Sequence, residues 1–226
     1  MKITYYGHSC FTAAVNGKTL LFDPFISGNP LAGHIDKSKI KADYILISHG
    51  HEDHIADAAA LAKESGATII SNFEIVTWLS RQGISKGHPM NHGGSWSFDF
   101  GKVKMMNAIH SSSFPDGSYA GNPCGFLIET LEGNFYYSGD TALTYDMKLI
   151  GEYKKINFAL LPVGGNFTMN ADNALIAAGF IGCDKIVGLH FDTFGYITIN
   201  HAEAKEKFSR DGKELILLKI GESINI

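Results

Sequence analysis

The chain has 226 residues, of which 45% are hydrophobic and 19% charged, and its formal net charge is -4. This composition is typical of a globular protein with a substantial core, and it excludes a disordered or collagen-like chain. A negative net charge with only two arginines, Arg81 and Arg210, argues against a nucleic-acid partner and against a site rich in phosphate clamps.

Predicted elements alternate between strand-rich and mixed β/α stretches along the chain. Strands are predicted within residues 1–22, with a hairpin turn at Asn16-Gly17, and at 44–47, 68–70, 95–108, 126–137, 158–161, 185–189 and 215–218. Helices are predicted at 55–64, 73–81, 143–153, 173–180 and 202–210. Two sheets with helices outside them satisfy this alternation, so we expect one α/β domain over residues 1–226.

The cysteines and the N-terminal segment bear on the cellular compartment. Cys10, Cys124 and Cys183 are odd in number and far apart, which favours buried thiols over disulfides. The first residues enter a strand-like pattern without an apolar leader, and no apolar run is long enough to span a bilayer. We therefore expect a cytoplasmic protein without membrane association. A homo-oligomer is compatible with the sequence, which does not specify the oligomeric state.

The most distinctive segment is a short run of imidazoles and carboxylates, His49-Gly50-His51-Glu52-Asp53-His54. Neutral imidazole is the commonest protein ligand for zinc, and carboxylate is a ligand for the same class of ion. His49 and His51 are two residues apart and point to the same side of an extended segment, whereas the adjacent Asp53 and His54 diverge toward a second ion. The run lies between a predicted strand and a predicted helix, where α/β proteins tend to bind ligands.

Three further polar residues, His110, Asp140 and His190, each follow a predicted strand. Alone, a His or Asp at a strand end is more often a surface or capping group. Together with the 49–54 run, three strand-end residues that converge on one sheet edge are better interpreted as additional metal ligands.

These motifs resemble the metallo-β-lactamase superfamily. Its His-x-His-x-Asp-His motif matches residues 49–54, its downstream His matches His110, its bridging Asp matches Asp140 within Gly139-Asp140-Thr141, and its last His matches His190. Residues 6–11, 22–25, 28–30 and 190–194 are similar to a compact branch of metal-dependent hydrolases. That branch resembles L-ascorbate-6-phosphate lactonases and, more distantly, N-acyl phospholipid phosphodiesterases. The resemblance implies a four-layer αββα sandwich with metals at one edge of the two sheets.

The resemblance also implies two divalent metal ions, most simply Zn²⁺, with Mn²⁺ or Fe²⁺ as alternatives. It assigns His49, His51 and His110 to the first metal, Asp53, His54 and His190 to the second, and Asp140 to a bridging position. Asp53 and His190 are also expected to be catalytic, with Asp53 orienting or deprotonating the attacking water. The implied reaction is attack by a metal-bound hydroxide on a small-molecule ester, lactone, amide or phosphodiester.

Two other functions stay open, a metal-binding sensor without turnover and an RNA-processing nuclease of the same superfamily. The net charge and the lack of a basic extension argue against the RNA-processing nuclease. Substrate selection is expected from the loops that flank the ligands, at residues 24–40, 111–122, 164–172 and 191–199.

Four polar residues have open roles. Asp23 suits a turn and an acceptor for a ligand histidine equally well. His8 is compatible with a position in the metal site, a capping role or a place in the core. Thr193 is expected to shape the pocket, and Asp172 is best explained as a helix cap.

Overall fold

The computed structural model describes all 226 residues and contains fourteen strands and six α-helices. The strands are β1 (Lys2–Gly7), β2 (Cys10–Val15), β3 (Lys18–Phe22), β4 (Tyr44–Leu46), β5 (Thr68–Asn72), β6 (Gly87–Met90), β7 (Ser95–Phe98), β8 (Gly101–Asn107), β9 (Cys124–Thr130), β10 (Gly133–Tyr137), β11 (Phe158–Pro162), β12 (Lys185–Leu189), β13 (Glu214–Ile216) and β14 (Ser223–Asn225). The helices are α1 (Glu52–Ile55), α2 (Ala58–Ser65), α3 (Phe73–Arg81), α4 (Met147–Tyr153), α5 (Ala171–Ile181) and α6 (His201–Arg210).

The strands form two seven-stranded mixed sheets with similar organisation. The first has the order β14-β1-β2-β3-β4-β5-β6 and the second β13-β12-β11-β10-β9-β8-β7. In the first sheet, β1 and β3 both pair with β2 in antiparallel orientation and so run in the same direction, and β3 pairs with β4 in parallel. In the second sheet, β8 and β10 both pair with β9 in antiparallel orientation and so run in the same direction, and β10, β11 and β12 are parallel to one another. Strands β1, β3 and β4 therefore end at one edge of their sheet, and β8, β10 and β12 end at one edge of theirs.

The main core lies between the two sheets and is rich in aromatic rings. Phe22 of the first sheet lies 6.4 Å from Phe126 and 6.1 Å from Phe135 of the second, measured between ring centroids. Phe11 stacks on Phe22 with the centroids 4.4 Å apart. All four side chains are fully buried. Burial of each such ring contributes about 1.5–3 kcal/mol, so this layer contributes strongly to holding the sheets together.

Helices cover the outer faces of both sheets, which completes an αββα sandwich and confirms the predicted fold class. Helix α3 packs on β5 and β6, α5 packs on β11, and α6 packs on β13. The three cysteines are free and buried, as predicted. No helix combines the length and the apolar character needed to cross a bilayer.

The structure corrects the predicted helix at 55–64, which is two helices, α1 and α2. The chain turns at Asp57, whose buried carboxylate accepts hydrogen bonds from the backbone N–H groups of Ile26 (2.7 Å) and Ser27 (2.8 Å). That side chain anchors the loop after β3 against the start of α2. The contact joins residues about 30 positions apart, so local sequence patterns do not reveal it.

The helix predicted from residue 143 begins only at Met147. The preceding backbone is engaged elsewhere, because Ala142 donates to the carbonyl of Ile109 (2.9 Å) and Thr141 accepts from Met169 (3.0 Å). Two short edge strands, β6 and β14, were not predicted. Each has few apolar residues, and β6 contains Pro89, which an edge strand tolerates.

Candidate metal centre

The polar residues singled out by the sequence gather where the sheets end. His8 follows β1, Asp23 follows β3, residues 49–54 follow β4, and His110, Asp140 and His190 follow β8, β10 and β12. Three of them have left-handed backbone conformations, with φ of 55° at His8, 39° at Asp23 and 54° at His190. This conformation costs a non-glycine residue about 1–2 kcal/mol, and such strain clusters at functional sites.

The first donor group consists of His49, His51 and His110. One ring nitrogen from each lies within 4.8 Å of the others, and His49 Nε2 is 2.9 Å from His51 Nδ1. Burial lowers the pKa of all three imidazoles, most strongly that of His49. The rings are therefore neutral at pH 7 and carry the lone pairs that a metal ion requires.

The second donor group consists of Asp53, His54 and His190, together with His8. Burial works to raise the pKa of Asp53, but the neighbouring His54 and the hydrogen bond from His8 outweigh it, so the pKa is lowered. Burial works to lower the pKa of His54, but the carboxylates of Asp140 and Asp53 outweigh it, so that pKa is raised well above its usual value. Both shifts show that this position attracts positive charge.

Asp140 lies between the two groups. Its Oδ2 is 3.0 Å from Nε2 of His190, 3.3 Å from Nε2 of His54 and 3.7 Å from Nε2 of His110. Burial works to raise the pKa of Asp140, but His190 and His54 hold it well below its usual value, so the side chain is a carboxylate.

Three buried atoms in this cluster, Nε2 of His54, Oδ1 of Asp140 and Nδ1 of His190, have no hydrogen-bond partner in the protein. Buried polar atoms are nearly always paired, and imidazole nitrogen and carboxylate oxygen are metal donors. The residues therefore fit a metal centre.

Asp23 orients His54. Its fully buried carboxylate accepts hydrogen bonds from His54 Nδ1 (2.7 Å), the Ser48 backbone N–H (2.7 Å), Ser48 Oγ (2.5 Å) and Tyr137 OH (2.5 Å). Such an acceptor keeps a proton on Nδ1, so Nε2 is the nitrogen that binds when a metal displaces its proton. Of the two interpretations of Asp23, the structure supports an acceptor, here for His54 Nδ1.

His8 performs a similar role for Asp53. Its Nε2 is 3.0 Å from Asp53 Oδ2, and its Nδ1 is 3.0 Å from Thr193 Oγ1. Burial and the nearby His190 lower the pKa of His8 to about 4, so its ring is neutral at pH 7. Because an ionised Asp53 only accepts, Nε2 of His8 carries the proton and Nδ1 accepts from the Thr193 hydroxyl.

Thr193 and Asp172 are the other two residues whose roles the sequence left open. Thr193 is buried and bonds to His8, as part of the loop after His190. The capping role expected of Asp172 was wrong, because Asn170 caps α5 by accepting from the Asn173 backbone N–H at 2.9 Å. Asp172 instead forms an exposed ion pair with Lys207 at 2.9 Å.

One glycine allows two backbone segments to approach closely beside the centre. A Cβ on Gly164 would lie 2.1 Å from the His190 carbonyl oxygen. This position therefore requires a glycine for the backbone of the 163–170 loop to approach His190. A paired Gly164-Gly165 next to a ligand loop was the available sequence signal.

A cavity of about 250 Å³ opens onto the centre. Five of the seven proposed ligands line it, together with Ser111, Phe167 and Phe194. A small molecule can therefore reach the donor groups from solvent.

This combination, an αββα sandwich with His and Asp donors at one edge of both sheets, defines a metallo-β-lactamase-fold protein. Residues 2–190 match the family described as the Beta-lactamase superfamily domain, and the chain belongs to that family.

The chain is 58% identical to the UPF0173 metal-dependent hydrolase of Flavobacterium johnsoniae, over all of both proteins. Among solved structures it resembles Igni18, a metallo hydrolase from the archaeon Ignicoccus hospitalis, with a TM-score of 0.90 and 34% identity, covering 99% of this chain and 97% of that one. An isothiocyanate hydrolase from Delia radicum gut bacteria shares the fold, with a TM-score of 0.83 at 18% identity, covering 100% and 99% of the two chains. The chain is therefore a metal-dependent hydrolase, as its motifs predicted.

Proposed function

We propose that the chain is a dinuclear hydrolase in which His49, His51 and His110 hold one divalent ion and Asp53, His54 and His190 hold a second, with Asp140 bridging. The observation that carries this proposal is the position of Asp140. Its Oδ2 lies 3.0 to 3.7 Å from imidazole nitrogens of both donor groups. A buried carboxylate between two sets of three donors suits two ions better than one.

The donor set of imidazoles and carboxylates suits Zn²⁺, with Mn²⁺ or Fe²⁺ as alternative occupants. When bound, such ions lower the pKa of coordinated water and polarise the bond to be cleaved. Neutral His49, His51 and His110 provide lone pairs without first losing protons. Asp23 holds a proton of His54 on Nδ1, so that Nε2 of this residue is the nitrogen available to a metal once its own proton is released.

Asp53 is the residue best placed to handle a proton during hydrolysis. Its carboxylate lines the cavity, and it is held from behind by Nε2–H of His8 at 3.0 Å. Because its pKa is lowered, it is ionised at neutral pH and can orient an attacking water by accepting a hydrogen bond from it. His190 lines the same cavity and orients Asp140 through the 3.0 Å contact between His190 Nε2 and Asp140 Oδ2.

The substrate is proposed to be a small molecule with an ester, lactone, amide or phosphodiester bond. A cavity of about 250 Å³ admits a compact ligand. The net charge of -4 weighs against RNA, because nucleic-acid binding depends on Lys and Arg neutralising phosphates.

The test combines metal content with turnover. Protein produced with zinc or manganese supplied should contain close to two ions per chain by elemental analysis, and it should hydrolyse at least one member of an ester, lactone, amide and phosphodiester panel. Asp140→Ala should lose metal and activity together. Asp172→Ala is the matched control, because this exposed carboxylate pairs with Lys207 away from the cavity. Absence of bound metal would refute the proposal, whereas two bound ions without turnover would favour a metal-binding sensor.

A further inference from the structure

We propose that the part of the substrate that is not cleaved is an uncharged, apolar group about the size of one aromatic ring, and that it binds against Phe167 and Phe194. This inference rests on the proposed function, since it places the group beside the metal centre. It narrows the substrate class without choosing the bond that is hydrolysed.

The two rings are exposed at the mouth of the catalytic cavity. Phe167 lies between β11 and α5, and Phe194 lies in the loop after His190. Both line the cavity, with 52% of Phe167 and 36% of Phe194 accessible to solvent. Tyr196, which is 79% exposed, extends the aromatic surface outward, with its ring centroid 6.1 Å from that of Phe167. Large apolar side chains grouped at a cavity entrance typically mark a ligand contact.

The loop that carries Phe167 is anchored to the metal centre. Met169 is buried, and its backbone N–H donates to the carbonyl of Thr141, the residue after Asp140, at 3.0 Å. The Gly165 N–H donates to the Met169 carbonyl at 3.0 Å, which closes the turn around Phe167. The position of the ring is therefore coupled to that of Asp140.

Phe194 is held from its inner side. Its ring centroid lies 5.5 Å from that of the buried His8 and 6.5 Å from that of the buried Phe25. Because both aromatic side chains have their loops fixed beforehand, a ligand that contacts them does not have to order the loops on binding.

The charges around the cavity disfavour an ionic substituent. The only carboxylates that line it, Asp53 and Asp140, are proposed metal ligands, and no Lys or Arg side chain lines it. An anionic group remote from the metals would therefore leave water without gaining a counter-charge, which is costly. Ser111 supplies the one uncharged hydroxyl in the lining.

The volume of the cavity sets the size of the group. A cavity of about 150 Å³ accommodates benzene. The cavity here has about 250 Å³, which leaves room for one ring and the adjoining scissile group.

The inference is tested with hydroxamic acids, which share one metal-binding head and differ in their tails. Binding to the metal-loaded protein is measured by isothermal titration calorimetry for acetohydroxamic acid, benzohydroxamic acid and the monohydroxamate of succinic acid. We expect the benzo compound to bind about tenfold more tightly than the aceto compound, which corresponds to about 1.4 kcal/mol. The gain comes from ring–ring contact and from burial of apolar area against the two phenylalanines. The carboxylate tail of the succinic compound should give no advantage.

Phe167→Ala and Phe194→Ala should each reduce the preference for the benzo tail to about threefold or less, with unchanged metal content and unchanged affinity for acetohydroxamic acid. Phe73→Ala is the matched control, since Phe73 is 60% exposed and does not line the cavity. Equal affinity for all three tails, a preference for the carboxylate tail, or an effect of Phe73→Ala equal to that of the other variants would overturn the inference and leave the proposed function intact. Failure of all three compounds to bind, together with absence of metal, would overturn both.

Discussion

Replacing Asp23 with Asn tests how far a residue behind the metal ligands controls them. The substitution preserves the shape of a fully buried side chain but removes its charge. One carboxylate oxygen accepts from His54, Ser48 and Tyr137, and the other accepts from the Ser48 backbone N–H. An amide has only one oxygen, so it cannot satisfy both sides.

Either orientation of the amide carries a penalty. With its NH₂ group facing the Ser48 backbone N–H, two donors meet and one buried donor is unpaired, at a cost of about 1–3 kcal/mol. With NH₂ facing His54, Nδ1 must accept, which moves the ring proton to Nε2 and removes the metal-binding lone pair. In either orientation, the charge-assisted hydrogen bonds to the carboxylate are also lost. We therefore expect the free energy of unfolding to fall by about 3–5 kcal/mol and the metal affinity to fall 10–100-fold.

The assay separates these two effects. Urea denaturation of the metal-free protein gives the free energy of unfolding, and competition with a chromogenic chelator gives the metal affinity. Asp57→Asn is the control, because Asp57 is also a buried carboxylate with several donors but bonds to the loop at Ile26 and Ser27 rather than to a ligand. It should lose stability and keep metal affinity. If Asp23→Asn binds both metals as tightly as the unmodified protein, our account of Asp23 is incorrect.

Three further outcomes are expected. Each zinc ion present at a hundred times its dissociation constant should raise the melting temperature by about 5–10 °C, because its binding to the folded state contributes about 2.7 kcal/mol. An unchanged melting temperature would contradict a preformed site. Gly164→Ala should lower the free energy of unfolding by about 1–3 kcal/mol and weaken metal binding, since the new Cβ would meet the His190 carbonyl oxygen at 2.1 Å, whereas an unaffected variant would show that the backbone relaxes freely. The pKa of His8 falls to about 4 in the folded protein from about 6.5 in the unfolded chain, so the unfolded chain binds the extra proton as the pH falls through this interval. The free energy of unfolding of the metal-free protein should therefore fall by about 3 kcal/mol between pH 6.5 and pH 4 because of this group. In urea titrations of His8→Gln, the free energy of unfolding should depend less steeply on pH over the same interval.

The proposed ligands were predictable because each follows a strand of recognisable pattern. His110, Asp140 and His190 come after β8, β10 and β12, and parallel strands end at a common edge. The same reasoning applied to β1 and β3 points to His8 and Asp23, yet it does not say what these residues contact. Asp23 bonds to His54, 31 residues away, and His8 to Thr193, 185 residues away. The first contact depends on how neighbouring strands of one sheet align, and the second depends on how the two sheets align, neither of which local patterns encode.

The aromatic side chains that line the cavity, Phe167 and Phe194, could not be identified from local sequence patterns either. The sequence predicts substrate-selecting loops that include residues 164–172 and 191–199, which contain Phe167 and Phe194. It did not indicate which of their side chains face the cavity. That orientation depends on backbone hydrogen bonds such as the one from Met169 to Thr141, which joins loops from separate parts of the chain.

The position of the donor groups across the sandwich has a mechanical consequence. The 49–54 run belongs to the first sheet, whereas His110, Asp140 and His190 belong to the second. Each donor group therefore draws from both layers, and an ion held by either one would act as a cross-link between them. Separation of the layers would then require dissociation of the ion. Amide hydrogens in the inner strands of both sheets should consequently exchange more slowly in the metal-loaded protein, including at positions far from the ions.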